Sequence, residues 1–178
     1  LINFVGLRYL TDSLQARLAG GGAIASIAST AGMGWRPNIE LVNEFLALDN
    51  GFDIAAAWLK ESKQRVGDPY GFSKQCLIVY TMSNAKALAA REIRINCIAP
   101  SPTASPFMDK LKGEGEVSAE AIELFLPSIG RYATGAEMGQ ALVMLNSKLA
   151  SFVSGQNLPV DFGYAAEVFV GQRDNLMN

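Results

Sequence analysis

Tyr70-Gly-Phe-Ser-Lys74 sets a phenol and an ammonium four positions apart. A helix advances 3.6 residues per turn, so the two side chains stand one turn apart on one face. An ammonium beside a phenol favours the phenolate, and is expected to draw a group whose ordinary pKa is about 10 toward neutrality. That is proton-transfer chemistry suited to an alcohol or a carbonyl. It is open to a chain with no histidine, for which Ser-His-Asp and Cys-His mechanisms and His-ligated metals are excluded. Cys76 and Cys97 have no usable metal-ligand spacing, and no metal site is expected.

The elements that must position this pair can be read around it. Asp68 as N-cap and Pro69 at the first helical position open a helix running to about Ala90. Leu77-Ile-Val-Tyr80 makes that helix apolar nearly all round, so it needs cover on two sides. Ala23-Ile-Ala-Ser-Ile-Ala28 reads as a buried strand ending at Ser29. A second strand, Ile93-Arg-Ile-Asn-Cys-Ile98, ends at Ala99-Pro100, and Gln156-Asn-Leu-Pro-Val-Asp161 is a third. Ile2, Val5, Leu7, Leu10, Leu14 and Leu18 mark a helix stopped by Gly20-Gly21-Gly22. Two short helices are predicted over 39–48 and 53–65, and another from Gly135-Ala-Glu137 to about Ser147. A loop and short helix over 101–129 carry Phe107, Met108, Leu111, Leu124, Phe125 and Leu126. Strands alternating with helices predict a parallel sheet with right-handed crossovers and a ligand site at the carboxyl ends of the strands. Ser29, Tyr70 and the Pro100–Pro106 loop converge there.

Composition sets the outer limits. A chain of 178 residues, 49% apolar and 18% charged, is read as one domain with a substantial core. A net charge of -2 without a basic block argues against a nucleic-acid partner. No apolar run is long enough to span a bilayer, and the N-terminus lacks a signal-peptide layout. The two cysteines lie in apolar runs and read as buried free thiols, so a reducing, cytoplasmic location is expected. Leu1 already falls inside a helical pattern, which suggests a start in mid-domain.

These motifs, in this order, resemble the short-chain dehydrogenase/reductase family. Asn3-Phe-Val-Gly6 matches its Asn-bearing helix and Ile27-Ala-Ser29-Thr-Ala-Gly32 its strand-end serine motif. Tyr70-x-x-x-Lys74 matches the catalytic helix, and Arg94-Ile-Asn96-Cys-Ile-Ala-Pro100 leads into Thr103-Ala-Ser105-Pro106. Gly130-Arg131, Glu137-Met138, Ser154-Gly155-Gln156 and Val160-Asp161-x-Gly163 match C-terminal landmarks. The resemblance runs over essentially all of residues 1–178, corresponding to the C-terminal two-thirds of a family member. It implies an α/β fold, a Rossmann-type doubly wound parallel sheet present as a fragment. It also implies NAD or NADP as cofactor. Tyr70 would be the general acid/base, and Lys74 would hold the nicotinamide ribose and lower the tyrosine pKa. Ser29 would polarise the substrate oxygen, and Asn3 would anchor a relay water behind Lys74. Pro100 would line the nicotinamide ring, while Thr103 (by its backbone) and Ser105 (by its hydroxyl) would hold the carboxamide. The 101–129 segment would be the substrate-covering loop.

Departures from the family pattern carry information. The Gly-x-x-x-Gly-x-Gly phosphate loop and the residue that selects NAD or NADP are absent from these residues. Ser101 and Phe162 stand where the family usually has glycine. Ser29 and Tyr70 are 41 positions apart, so 33–67 reads as a helical insertion before the catalytic helix. That insertion, with Gly34-Trp35-Arg36 and Leu158-Pro-Val-Asp161, resembles the 3α-hydroxysteroid dehydrogenase and coniferyl-alcohol dehydrogenase branch. It implies a bulky, apolar, ring-bearing alcohol or its ketone or aldehyde as substrate. Family members often pair as homodimers through their long helices; in the branch with the insertion that surface is a candidate for internal cover. The rival expectation is a truncated, non-catalytic fragment or pseudoenzyme, and the isolated 178 residues are expected to be inactive.

Overall fold

The structure, a computed structural model, describes residues 1–113 and 122–174. Residues 114–121 and 175–178, together with the side chains of Phe107, Leu111 and Lys112, lie outside the described residues. Part of the expected covering loop over 101–129 falls there.

A π-helical turn, Ile2–Gly6, leads into α1 (Leu7–Leu14) and a 3-10 turn at Gln15–Arg17. β1 (Ala23–Ile27) follows, then a 3-10 segment, Thr30–Trp35. The region read as an insertion folds into α2 (Ile39–Leu46), α3 (Phe52–Glu61) and α4 (Lys63–Val66). α5 (Pro69–Ala89) is the long helix, and β2 (Arg94–Pro100) comes next. α6 (Pro106–Gly113), α7 (Gly135–Asn146), β3 (Asn157–Val160) and α8 (Tyr164–Phe169) complete the order. β1, β2 and β3 are adjacent and parallel, in the order β1-β2-β3.

Side chains alternate across the sheet and divide the core in two. Ile95 and Cys97 of β2 pack with α5, the π-helical turn and α2. Ile98, one step out of phase, packs with Met138 and Leu145 of α7. α5 and α7 thus cover opposite faces. Successive parallel strands that step one way, with crossover helices on opposite faces, cannot both be joined right-handedly. One of the two connections therefore departs from the expected hand.

α5 is buried from Gly71 to Thr81 apart from Ser73, Lys74 and Gln75. The sheet takes one side and α2 the other, where Leu41, Val42 and Phe45 are all buried. An aromatic cluster fastens this cover: the Phe45 ring is tilted against Trp58 at 4.9 Å and Phe72 at 5.5 Å, and Trp58 stacks on Phe72 at 6.0 Å between centroids. The outer face of α5 is thereby taken up by α2 and α3.

Candidate active site

Ser29 stands just past the end of β1 in extended backbone, φ -171°, and turns the chain into the 3-10 segment. Its Oγ accepts from the Ala31 N–H at 3.2 Å. Across from it, α5 begins as the sequence indicates, with Asp68 Oδ1 accepting from Tyr70 N–H at 2.9 Å and Oδ2 from Gly71 N–H at 2.8 Å. The cap fixes the first turn, and with it Tyr70.

The 3-10 segment and α5 meet with no space between them. A methyl on Gly32 would sit 2.8 Å from the Lys74 carbonyl carbon and 2.9 Å from Ile78 Cδ1. A glycine there lets the Ser29 turn lie directly on the helix that carries Tyr70 and Lys74. In the sequence, Gly32 stands three residues after Ser29, and that spacing alone does not show that the turn closes on a helix.

The Ser29 hydroxyl lies close enough to the Tyr70 phenol to act on its proton. Lys74 donates from Nζ to the Ile27 carbonyl at 2.9 Å, with Nζ 5.6 Å from the centre of the Tyr70 ring. Ser29, Tyr70 and Lys74 are thus brought together where strand and helix meet. The electrostatics differ from expectation. Burial pushes the Tyr70 phenol above its ordinary value; the nearby Ser29 hydroxyl works against this, and the Asp68 charge adds to it. Lys74 is shifted down by burial, partly offset by Cys97. The expected lowering of Tyr70 by Lys74 is absent here: the ammonium bonds a strand carbonyl and lies above the ring, and desolvation of the phenol decides the direction.

Pro100 closes β2 beside β3, where Ser101 N–H donates to the Val160 carbonyl at 3.3 Å. Thr103 forms a parallel bridge with Ala133: Ala133 N–H donates to Pro102 O at 3.0 Å and Ala104 N–H to Ala133 O at 2.8 Å. In that pattern Thr103's own N–H faces away from Ala133. The Thr103 hydroxyl donates to Ser101 O at 2.9 Å. The Ser105 hydroxyl donates to Thr103 O at 3.2 Å and accepts from Met108 N–H at 3.3 Å, so it is engaged in starting α6. Asn3 lies exposed in the π-helical turn and makes no side-chain hydrogen bond to Lys74 among the described residues.

Fold and site together define a Rossmann-type parallel sheet with a Ser, Tyr and Lys group at the carboxyl end of its strands. Residues 55–165 match the family model described as enoyl-(acyl carrier protein) reductase. The chain belongs to the short-chain dehydrogenase/reductase family. It is 30% identical over 169 residues to a coniferyl-alcohol dehydrogenase of a Pseudomonas species, taking in 93% of this chain and 64% of that enzyme. Identity to the 3-alpha-hydroxysteroid dehydrogenase/carbonyl reductase of Comamonas testosteroni is 28%, over 93% of this chain and 65% of that protein. Among solved structures, the 3-alpha-hydroxysteroid dehydrogenase of Pseudomonas sp. B-0831, complexed with NADH, superposes with a TM-score of 0.79. At 24% identity it covers 98% of this chain and 67% of its own. The chain thus spans just under two thirds of the length of the two curated relatives.

Proposed function

We propose that this chain carries the proton-transfer site of an NAD(P)-dependent oxidoreductase. Its substrate would be a bulky, apolar, ring-bearing alcohol, either aryl-allylic, as coniferyl alcohol is, or a hydroxysteroid, interconverted with its carbonyl. The observation that carries the reading is the joining of Ser29, Tyr70 and Lys74 at one strand end. The donor set fits the nicotinamide end of such a cofactor. Lys74 uses one of its three N–H donors on Ile27, leaving two that suit ribose hydroxyls. The outward Thr103 N–H suits a carboxamide oxygen, with Pro100 beside it. Ser105 would have to give up its bonds at the start of α6 to serve the same group. The nicotinamide, when bound, gives or takes the hydride.

The chain's own residues handle the proton. With its pKa raised, Tyr70 is a phenol at neutral pH, the form that donates to a carbonyl oxygen while Ser29 holds that oxygen. The reverse reaction needs the phenolate, so alcohol oxidation should quicken as pH rises toward the tyrosine pKa. Lys74, close to the ring, keeps a positive charge near the phenolate as it forms.

The test is Tyr70→Phe in the complete enzyme that carries this chain, assayed with coniferyl alcohol and with a 3α-hydroxysteroid. Turnover should fall by at least about 100-fold, while an NADH fluorescence titration stays nearly unchanged. Retained turnover would overturn the mechanism. A second reading, that these 178 residues form a non-catalytic unit, is favoured by the absence from them of any Gly-x-x-x-Gly-x-Gly phosphate loop. Saturable NADH binding by the 178 residues alone would count against it.

A further inference from the structure

Thr103 owes its orientation to one residue far along the chain. Among the described residues, the backbone of 102–104 is hydrogen-bonded outside 101–105 only to Ala133, which donates to Pro102 O at 3.0 Å and accepts from Ala104 N–H at 2.8 Å. Ala133 itself belongs to no helix and to none of the three strands; it lies in the stretch that leads into α7. Whatever holds Ala133 therefore sets the direction in which the Thr103 N–H points.

A charged cluster holds it from both sides. Arg131 donates to the two Glu137 oxygens at 3.0 and 2.7 Å, and to the Tyr132 carbonyl at 3.0 Å. The same carboxylate accepts from the Thr134 N–H at 2.7 Å and from the Thr134 hydroxyl at 3.0 Å. Arg131 and Thr134 bracket Tyr132-Ala133, so tying both to one carboxylate closes the chain tightly around Ala133. Stability does not account for the arrangement. The Arg131 and Glu137 side chains are 48% and 39% exposed, and exposed ion pairs contribute little to folding. What a guanidinium fork on a carboxylate does supply is fixed direction, which a flexible ammonium lacks. Arg131 and Thr134 hold the Glu137 carboxyl down at about 2, so the pair stays charged at any working pH.

We propose that Arg131 and Glu137 are positioning residues for the nicotinamide: through Ala133 they fix residues 102–104 so that the Thr103 N–H meets the carboxamide oxygen. Neither needs to touch the cofactor itself. The inference rests on the nicotinamide reading of the Ser29, Tyr70 and Lys74 site.

The experiment compares Arg131→Met and Arg131→Lys with the unaltered complete enzyme that carries this chain. Both changes fall at a half-exposed side chain and leave the Thr134 and Glu137 cap of α7 in place. The first readout is calorimetric titration with NADH or NADPH, whichever the enzyme takes, and with the matching ADP-ribose, which lacks the nicotinamide. Arg131→Met should bind the reduced cofactor about fivefold more weakly and ADP-ribose as before. Arg131→Lys should follow Arg131→Met, because it keeps the charge and loses the fork. The second readout is residue-resolved amide exchange without ligand. In Arg131→Met the Ala104 and Ala133 amides should exchange more than about tenfold faster, while the Ala28 amide, bonded to Ile98 O at 2.8 Å, should not change. Unchanged cofactor binding, an equal loss for cofactor and ADP-ribose, full retention in Arg131→Lys, or unchanged exchange at Ala104 and Ala133 would each overturn the proposal. If the unaltered enzyme binds neither NADH nor NADPH, the nicotinamide reading itself fails and this inference falls with it.

Discussion

Lys74 donates to the Ile27 carbonyl and holds its charge 5.6 Å from the centre of the Tyr70 ring. Sequence spacing placed the two side chains on one helix face, and that was legible because helix geometry is local. The strand arriving beneath that face was not legible at this resolution: Ile27 offers a carbonyl only because β1 ends there. The direction of the Tyr70 shift was missed for the same reason, since desolvation depends on everything packed nearby. Cys97 makes the residue-scale effect measurable. Read from sequence as a buried thiol, it is fully buried, and burial pushes its pKa to about 11, against the pull of Thr81 and Lys74. A raised thiol pKa means that the folded state keeps the proton the unfolded chain releases near pH 8.5. That contribution is complete below the unfolded value and lost as pH rises through the folded one. Urea unfolding should show the unaltered chain losing about 3 kcal/mol relative to Cys97→Ala between pH 8 and pH 11.5. Parallel pH profiles for the two would contradict the assigned burial.

At the scale of elements, α5 begins at Pro69 under its Asp68 cap and ends at Ala89, one residue short of the Ala90 that the sequence indicates. Its start was legible because capping chemistry is local and strong. α7 begins at Gly135, as the sequence indicates, and a reciprocal capping box of Thr134 and Glu137, seen only in the structure, fixes its first turn. Contact between elements was harder to read. Gly32 is where the Ser29 turn and α5 touch, and a methyl there would press on the Lys74 backbone, which cannot move without shifting the helix. Gly32→Ala should therefore cost about 1–3 kcal/mol in urea unfolding. In the complete enzyme it should also lower turnover, because Ser29 and Tyr70 move apart. A loss below about 0.5 kcal/mol would mean that the helix yields freely.

For the molecule as a whole, the parallel sheet and the cover over α5 followed from the order of strands and helices and from the apolar run at Leu77–Tyr80. The hand of both crossovers did not follow: the general preference is right-handed, and only the split of core residues between Ile95 and Cys97 on one face and Ile98 on the other shows that one connection breaks it. Residues 33–67 were legible as helices from their amphipathic pattern, whereas their attachment to α5 through Phe45, Trp58 and Phe72 needed three dimensions.

β1 also has a consequence in time. It is the outer strand of the described sheet, and its bonds to β2 run from the Gly22 carbonyl, which accepts from Arg94, to the Ala28 N–H, which donates to Ile98. In a parallel ladder, alternate residues face the partner, so the amides of Ile24, Ser26 and Ala28 are tied to β2 while those of Ala25 and Ile27 look outward. Placed in deuterated water, this short strand should keep two clocks. Alternate amides should retain their protons more than about tenfold longer than their neighbours, a comb with a period of two that residue-resolved exchange would read directly. Uniformly slow exchange along β1 would instead report another strand laid against its outer edge.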